Sequence, residues 1–352
     1  MDERALTFLR RLLDAPGPSG YETAPARVWR GEAETFADEV THDVLGNSYA
    51  RLKNEGAPVV VIEGHIDEIG LLITHIDEQG FLWFEHIGGW DNQVLVGQRI
   101  RISGNDGDVI GVIGRKAKHL LGKGDEDRAA QTRDLWIDIG AKDRADALQR
   151  VSIGDPAVVH ADFVSLTGDL CVSRSMDNRV GAFVALEAVR LLATDRPALD
   201  IYALAPTQEE ISFAGAYTST FRLAPKVAIA IDVTHATDAP TIDKKETGEH
   251  ALGSGPVITR GATLSSRVCE MLIETAEAEG MDYTLEASGR GTHTDADAIQ
   301  LARGGIASGV VSIPLRYMHS SVEMVQLSDV EAVIELLVAF AGRVKPDVDL
   351  NR

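Results

Sequence analysis

The sequence predicts an α/β protein whose layered core is interrupted by a β-rich insert. Three observations carry that expectation. Short β-branched runs alternate with helical patterns toward both ends of the chain, the rhythm of an α/β layer architecture. Between about Leu71 and Asp162 the rhythm changes to closely spaced strand-like pieces, many separated by glycine. The length, 352 residues, leaves room for about two units at roughly 150 residues each.

The elements follow in order. Ala5, Leu6, Phe8, Leu9, Leu12 and Leu13 recur at helical spacing and stop before Pro16-Gly17, so the chain starts with an amphipathic helix. Residues 58–63 (PVVVIE) form a short β-branched run typical of a buried strand, and GHIDEIG follows directly at its C-terminal end. The pieces LLITHI, FLWFEHI, QRIRI, DVIGVIG, LWIDIG and PAVVHADFV predict a small barrel or sandwich, with residues 144–150 as a helix among them. From about Thr167 the pattern predicts a helix over 180–193, strands over 200–205 and 226–233, and a helix over 265–280. A strand over 309–313 and a closing helix over 328–343 follow. The expected division is one α/β domain, residues 1–68 and 165–352, with a β insert at 69–164.

Composition narrows the function. Hydrophobic residues at 44% and charged residues at 25% are ordinary for a folded protein and argue against disorder. Thirty-four Lys and Arg against 54 Asp and Glu give a net charge of −20, which disfavours nucleic acid as a partner. Two cysteines, Cys171 and Cys269, exclude a disulfide framework and a thiolate zinc site, and they fit a reducing compartment. Charges scattered through the N-terminal apolar residues do not read as a secretory signal, and runs such as VIELLVAFA are too short to cross a bilayer. The expectation is a soluble cytoplasmic protein with no membrane partner.

Five polar clusters sit at or just after apparent buried strands, where ligands gather in such sheets. In GHIDEIG, alternation puts His65 and Asp67 on one side of the chain, so Asp67 could orient the His65 imidazole toward a metal. Alone, such a pair reads more readily as a solvated surface turn. In SRSMDNRVGAF, Asp177 precedes a helix, and alone it reads as an N-cap. In PTQEEIS, Glu209 and Glu210 repel unless a cation or proton offsets them, and adjacent side chains point different ways. One could bind a metal while the other faces a water; the plain alternative is an acidic turn. In AIAIDVTHATD, Asp232 ends an apolar strand, while His235 reads as a polar loop residue. In SIPLRYMHSSVE, His319 follows a strand. GTHTDADAIQ contributes Thr294 and Asp295 at a helix entrance, with His293 beside them. Together the clusters supply imidazoles and carboxylates without thiolate, a donor set that suits two divalent zinc or cobalt ions.

Taken in chain order, with GTHTDADAIQ before SIPLRYMHSSVE, these six motifs resemble the di-zinc metallopeptidases of family forty-two, which include the tetrahedral (TET) aminopeptidases and glutamyl aminopeptidases. The resemblance runs nearly the whole chain, and the 112 residues between His65 and Asp177 leave room for the insert that the family carries. It implies a three-layer mixed-sheet zinc-peptidase domain with an inserted PDZ-like β-barrel used for dimerisation. It implies that Asp177 bridges two metals, that His65 and Asp232 complete one site, and that Glu210 and His319 complete the other. Glu209 would be the general base and acid, and Asp67 would hold the His65 tautomer. The implied cofactors are two divalent ions per subunit, zinc first, with cobalt or manganese able to use the same donors. The implied partners are peptide substrates and further copies of the chain, joined through the insert into a dodecamer. The Gly-Trp pair of HIGGWDNQ resembles the opening hairpin of the family insert. His293 departs from the family pattern, which touches the shape of the pocket and not the ligand set.

Three other readings share some of these residues. A related di-metal dipeptidase, carboxypeptidase or N-deacylase has similar ligands and a different substrate. A glucanase would need two carboxylates flanking a sugar from opposite sides, which adjacent Glu209 and Glu210 serve poorly, and four tryptophans offer little for a long stacking groove. A non-catalytic metal-stabilised shell leaves Glu209 without a task. The net acidity of the chain does not set the charge of a substrate pocket, so the preferred N-terminal residue is not read from it.

Overall fold

The computed structural model describes residues 1–122 and 128–351. Its centre is an eight-stranded mixed sheet. The strand order is Glu39–His42, Ser48–Leu52, Asp200–Ala205, Val59–Glu63, Val227–His235, Ala307–Leu315, Val257–Gly261 and Thr284–Ser288. The four strands from Asp200–Ala205 to Ala307–Leu315 run parallel, so their C-terminal ends open on the same edge of the sheet.

Alternation along these strands builds two cores. Val60 and Ile62 face one side with Ile201, Ile229 and Ile231, under the helices Glu3–Asp14, Met176–Leu192 and Leu327–Arg343. Val61, Leu204, Ala228 and Ala230 face the other, under shorter helices that contribute Ala216, Ala296 and Ile299. Helices on both faces make three layers around the sheet, as a parallel sheet buried on both sides requires. The strands read as near-continuous apolar runs for the same reason.

The insert is a closed antiparallel barrel of strands Gly70–Ile76, Leu82–Ile87, Leu135–Asp138, Gly107–Arg115, Arg99–Gly104 and Pro156–Val159. Every second residue turns inward: Leu71 and Ile73, Leu82 and Phe84, Ile100 and Ile102, Leu135 and Ile137. Closure removes the sheet edges that an open insert of this size would expose. Among the described residues no helix is long and apolar enough to cross a membrane.

The helix Thr23–Ala33 is not among the predicted elements; its Pro25 lies in the first turn, where proline is tolerated. Nor does it predict the antiparallel pair Glu39–His42 and Ser48–Leu52 that extends the sheet. Asp177 is also not the cap of its helix. Helical geometry is interrupted at Asp177 and Asn178, and it is Asn178 whose Oδ1 accepts from Gly181 N at 3.1 Å. Capping therefore falls to Asn178, and the Asp177 carboxylate is free to point elsewhere. The strand predicted over 226–233 continues to His235, so Asp232 lies within it and His235 is its exposed last residue rather than a loop residue.

A buried ion cluster ties the first helix to this edge of the sheet. Arg179 is fully buried and donates to the carbonyls of Leu12, Leu13, Gly17 and Ile66, and to Glu68 at 2.9 Å. Arg174 donates to the same carboxylate at 2.6 Å. Removing Glu68 strands two buried guanidiniums, so Glu68→Ala is expected to cost about 3–5 kcal/mol. A urea midpoint unchanged from the parent protein would contradict that.

Candidate active site

The parallel strands explain why residues distant in sequence meet. His65 follows Val59–Glu63, Glu209 and Glu210 follow Asp200–Ala205, Asp232 lies near the end of Val227–His235, and His319 follows Ala307–Leu315. Each therefore emerges on the same edge. Asp177 comes from the helix packed against that edge. Gly64 and Gly181 touch backbone to backbone there, and a Cβ on Gly64 would overlap Gly181. This glycine contact lets the His65 loop approach the helix start closely.

The result is a compact set of donors. His65 Nε2 lies 3.3 Å from Asp177 Oδ1, and His319 Nε2 lies 3.4 Å from Asp177 Oδ2. The two oxygens of one carboxylate thus face two imidazoles. Glu210 Oε2 is 3.4 Å from His319 Nε2, and Glu209 Oε2 is 3.6 Å from His65 Nε2. Among the described residues, two groups have donor atoms within 4.8 Å of one another: His65, Asp177 and Glu210; and His65, Glu209 and Asp232. The structure brings together His65, Asp67, Asp177, Glu209, Glu210, Asp232 and His319. His235 and His293 line the same cavity but belong to neither group.

Neighbours hold these side chains in place. Asp67 is fully buried, with Oδ1 3.4 Å from His65 Nδ1. It also accepts from Ser19 Oγ at 2.6 Å, Glu209 N at 3.1 Å and Glu210 N at 3.2 Å. One carboxylate thereby orients an imidazole and fixes the backbone of both glutamates. His319 Nδ1 lies 2.9 Å from the carbonyl of Gly89, a residue of the insert. That contact favours a proton on Nδ1, so that Nε2, once deprotonated, presents its lone pair to a metal rather than a hydrogen to Asp177 and Glu210.

The charges explain what the pocket can take. Burial pushes Glu209 and Asp232 far up, and neighbouring carboxylates add to it. Glu210 is raised by burial and by Asp177. Burial opposes charge on Asp177 too, but the hydrogen bonds with His319 and His65 hold it well below the usual carboxylate range. His319 would be lowered by burial, yet Asp177 and Glu210 raise it strongly. No Lys or Arg lines the cavity among the described residues, and Glu210 Oε1 is buried without a hydrogen-bond partner. An excess of buried carboxylate with oriented imidazoles and an orphan oxygen fits divalent cations bound through N and O donors.

Sequence reasoning passes over several contributors. Glu323 is buried and accepts from Asp177 N at 3.1 Å and His319 N at 2.9 Å, so one carboxylate sets the backbone of both residues. Its place within SIPLRYMHSSVE, four residues after His319, is the only local signal. Ser19 has none, and Gly89 is marked only as part of the Gly-Trp pair of HIGGWDNQ, with nothing there to link it to His319. Glu63 is buried close to the donor set, next to Asp295, which GTHTDADAIQ already marks. Burial pushes Glu63 up to about 8 and Asp295 well above its usual range, with the Glu63 charge adding to the latter.

The helix-covered mixed sheet gathers these imidazoles and carboxylates outside the C-terminal ends of its parallel strands, where α/β folds bind ligands. The pattern of the M42 glutamyl aminopeptidase family matches residues 46–336, and the chain belongs to that family. It is 35% identical over 348 residues to a lysyl aminopeptidase of Pyrococcus furiosus, covering 96% of this chain and 97% of that protein. Among solved structures, a TET aminopeptidase from the marine sediment archaeon Thaumarchaeota archaeon SCGC AB-539-E09 matches with a TM-score of 0.93 at 32% identity, over 97% of each chain. The TET1 peptidase of Pyrococcus horikoshii, which can assemble into a tetrahedron or a large octahedral shell, matches with a TM-score of 0.86 at 31% identity, over 97% of this chain and 100% of that one. The reaction class that membership carries is that of an aminopeptidase.

Proposed function

We propose that this aminopeptidase removes N-terminal residues from peptides with the help of two divalent cations, zinc first and cobalt or manganese as alternatives on the same donors. The observation that carries the reading is Asp177, whose two oxygens face His65 and His319 at 3.3 and 3.4 Å. In this reading His65 and Asp232 would hold one cation, His319 and Glu210 the other, with Asp177 offering one oxygen to each. When bound, the pair supplies polarisation of the scissile carbonyl and acidification of a water. Asp67 keeps the His65 proton on Nδ1, and the Gly89 carbonyl does the same for His319, so both Nε2 atoms remain donors. Glu209, beside His65, takes a proton from the attacking water on a carboxylate oxygen and delivers it to the leaving amine nitrogen. Peptide and water thereby become an amino acid and a shortened peptide.

Carboxylates that converge on shared imidazoles do not flank a sugar from opposite sides, so the glucanase reading gains nothing from the geometry. We place the barrel insert, residues 69–164, as the self-association module of a shell such as the TET dodecamer. The similarity to the Pyrococcus horikoshii peptidase supports this. Two buried free cysteines support a cytoplasmic setting.

The test is release of an amino acid from free-amine peptides before and after exhaustive chelation. Activity should vanish with chelator and return with added zinc or cobalt. Full activity in chelated, metal-free protein would end the reading. Preferential cleavage of N-acetylated peptides would redirect it to an N-deacylase.

A further inference from the structure

The cavity beside the donor set extends away from it, over the Thr284–Ser288 edge strand, with a volume of about 400 Å³. Its wall carries one more carboxylate, Glu286, with no assigned task. Glu286 is half-buried and aligned in register with Thr259 on the adjacent strand. Its Oε2 accepts from Thr259 Oγ1 at 3.2 Å, and its Oε1 accepts from Thr234 Oγ1 at 3.1 Å. Both threonines are buried. The carboxylate is thus fixed by two hydroxyls and makes no ion pair among the described residues. The nearby His250 does not neutralise it, because burial holds that imidazole below its usual range.

The position follows from strand geometry. Thr234 is two residues beyond Asp232 on one strand, so both side chains leave the same face, about 7 Å apart along it. Glu286 is hydrogen-bonded to Thr234 and lines the same cavity as the donor set. A residue whose α-amine and scissile carbonyl sit at the donor set can extend a long side chain toward this carboxylate. A four-carbon stem ending in an ammonium, or a guanidinium, would traverse the intervening space and meet the charge. A second carboxylate would be repelled.

We propose that Glu286 selects substrates with a cationic N-terminal side chain, lysine or arginine, making it a specificity-determining residue of the cavity. This rests on the aminopeptidase reading above. A charge-assisted hydrogen bond in a partly dry pocket is worth about 10- to 100-fold in discrimination.

The test uses the metal-loaded full chain with lysyl, arginyl, leucyl and glutamyl p-nitroanilides, in the parent protein and in Glu286→Gln. The parent should favour lysyl and arginyl over leucyl substrates in kcat/KM, and glutamyl should be poorest. Glu286→Gln should lower the lysyl-to-leucyl ratio about 10- to 100-fold. A second measurement needs no variant: free lysine should inhibit the parent about 10-fold more tightly than its uncharged analogue norleucine. Preference for glutamyl or leucyl substrates, equal inhibition by lysine and norleucine, or an unchanged ratio in a folded Glu286→Gln protein would each overturn the assignment while leaving the aminopeptidase intact. Release from none of the four substrates would instead overturn the aminopeptidase reading, and this assignment with it.

Discussion

Glu209→Gln protein should still bind two cations per subunit yet turn over about 10²- to 10⁴-fold more slowly, the usual contribution of a positioned general base and acid. The substitution preserves shape and removes the group that accepts the water's proton. Glu209 N stays bonded to Asp67 Oδ1, so the loop carrying Glu210 keeps its anchor. The competing role is that of a ligand, since Glu209 also lies within 4.8 Å of His65 and Asp232. Elemental analysis separates the two. A base mutant loses turnover and retains metal, whereas a ligand mutant loses metal in parallel. Turnover within about twofold of the parent would remove Glu209 from the mechanism.

Asp177→Ala should lose both cations. The parent carboxylate presents one oxygen to each imidazole, so its removal deprives both halves of the site at once. Changes in the groups that merely orient metal ligands cost 10- to 100-fold in affinity, so loss of a shared ligand should exceed about 100-fold. The fold should survive, because Asn178 caps the helix and Arg179 anchors it through bonds that do not involve Asp177. Dialysed Asp177→Ala protein with two tightly held cations would refute the bridging role.

The parts of the fold that were legible in the sequence are those governed by short-range periodicity. The first helix, the six barrel strands and the closing helix follow from apolar spacing within a few residues. The alternation that sets His65 and Asp67 on one side also acts over two residues, and Asp67 lies beside His65 Nδ1. The helix Thr23–Ala33 escapes the same reading because its buried face is mostly alanine and proline, with Pro25, Ala26 and Ala33 around Trp29. Glu323 and Gly89 escape for a different reason. Glu323 reaches Asp177 across 146 residues, and Gly89 reaches His319 across 230. Neither separation leaves a local pattern that links the two residues. Glu286 reads as an ordinary polar residue of an edge strand until Thr234 and Thr259 are seen to hold it.

By itself the sequence determined the donor types, their order and their placement near strand ends, because hydrophobic patterning fixes strands locally and the polar residues just beyond them are then fixed as well. Only the tertiary structure decided which oxygen of Asp177 faces which imidazole, which buried carboxylate sets two backbones, and where the cavity carries its extra negative charge. Those are properties of long-range packing. Parallel strands gather their ends onto one edge, and the Gly64–Gly181 contact sets how closely the helix start approaches it.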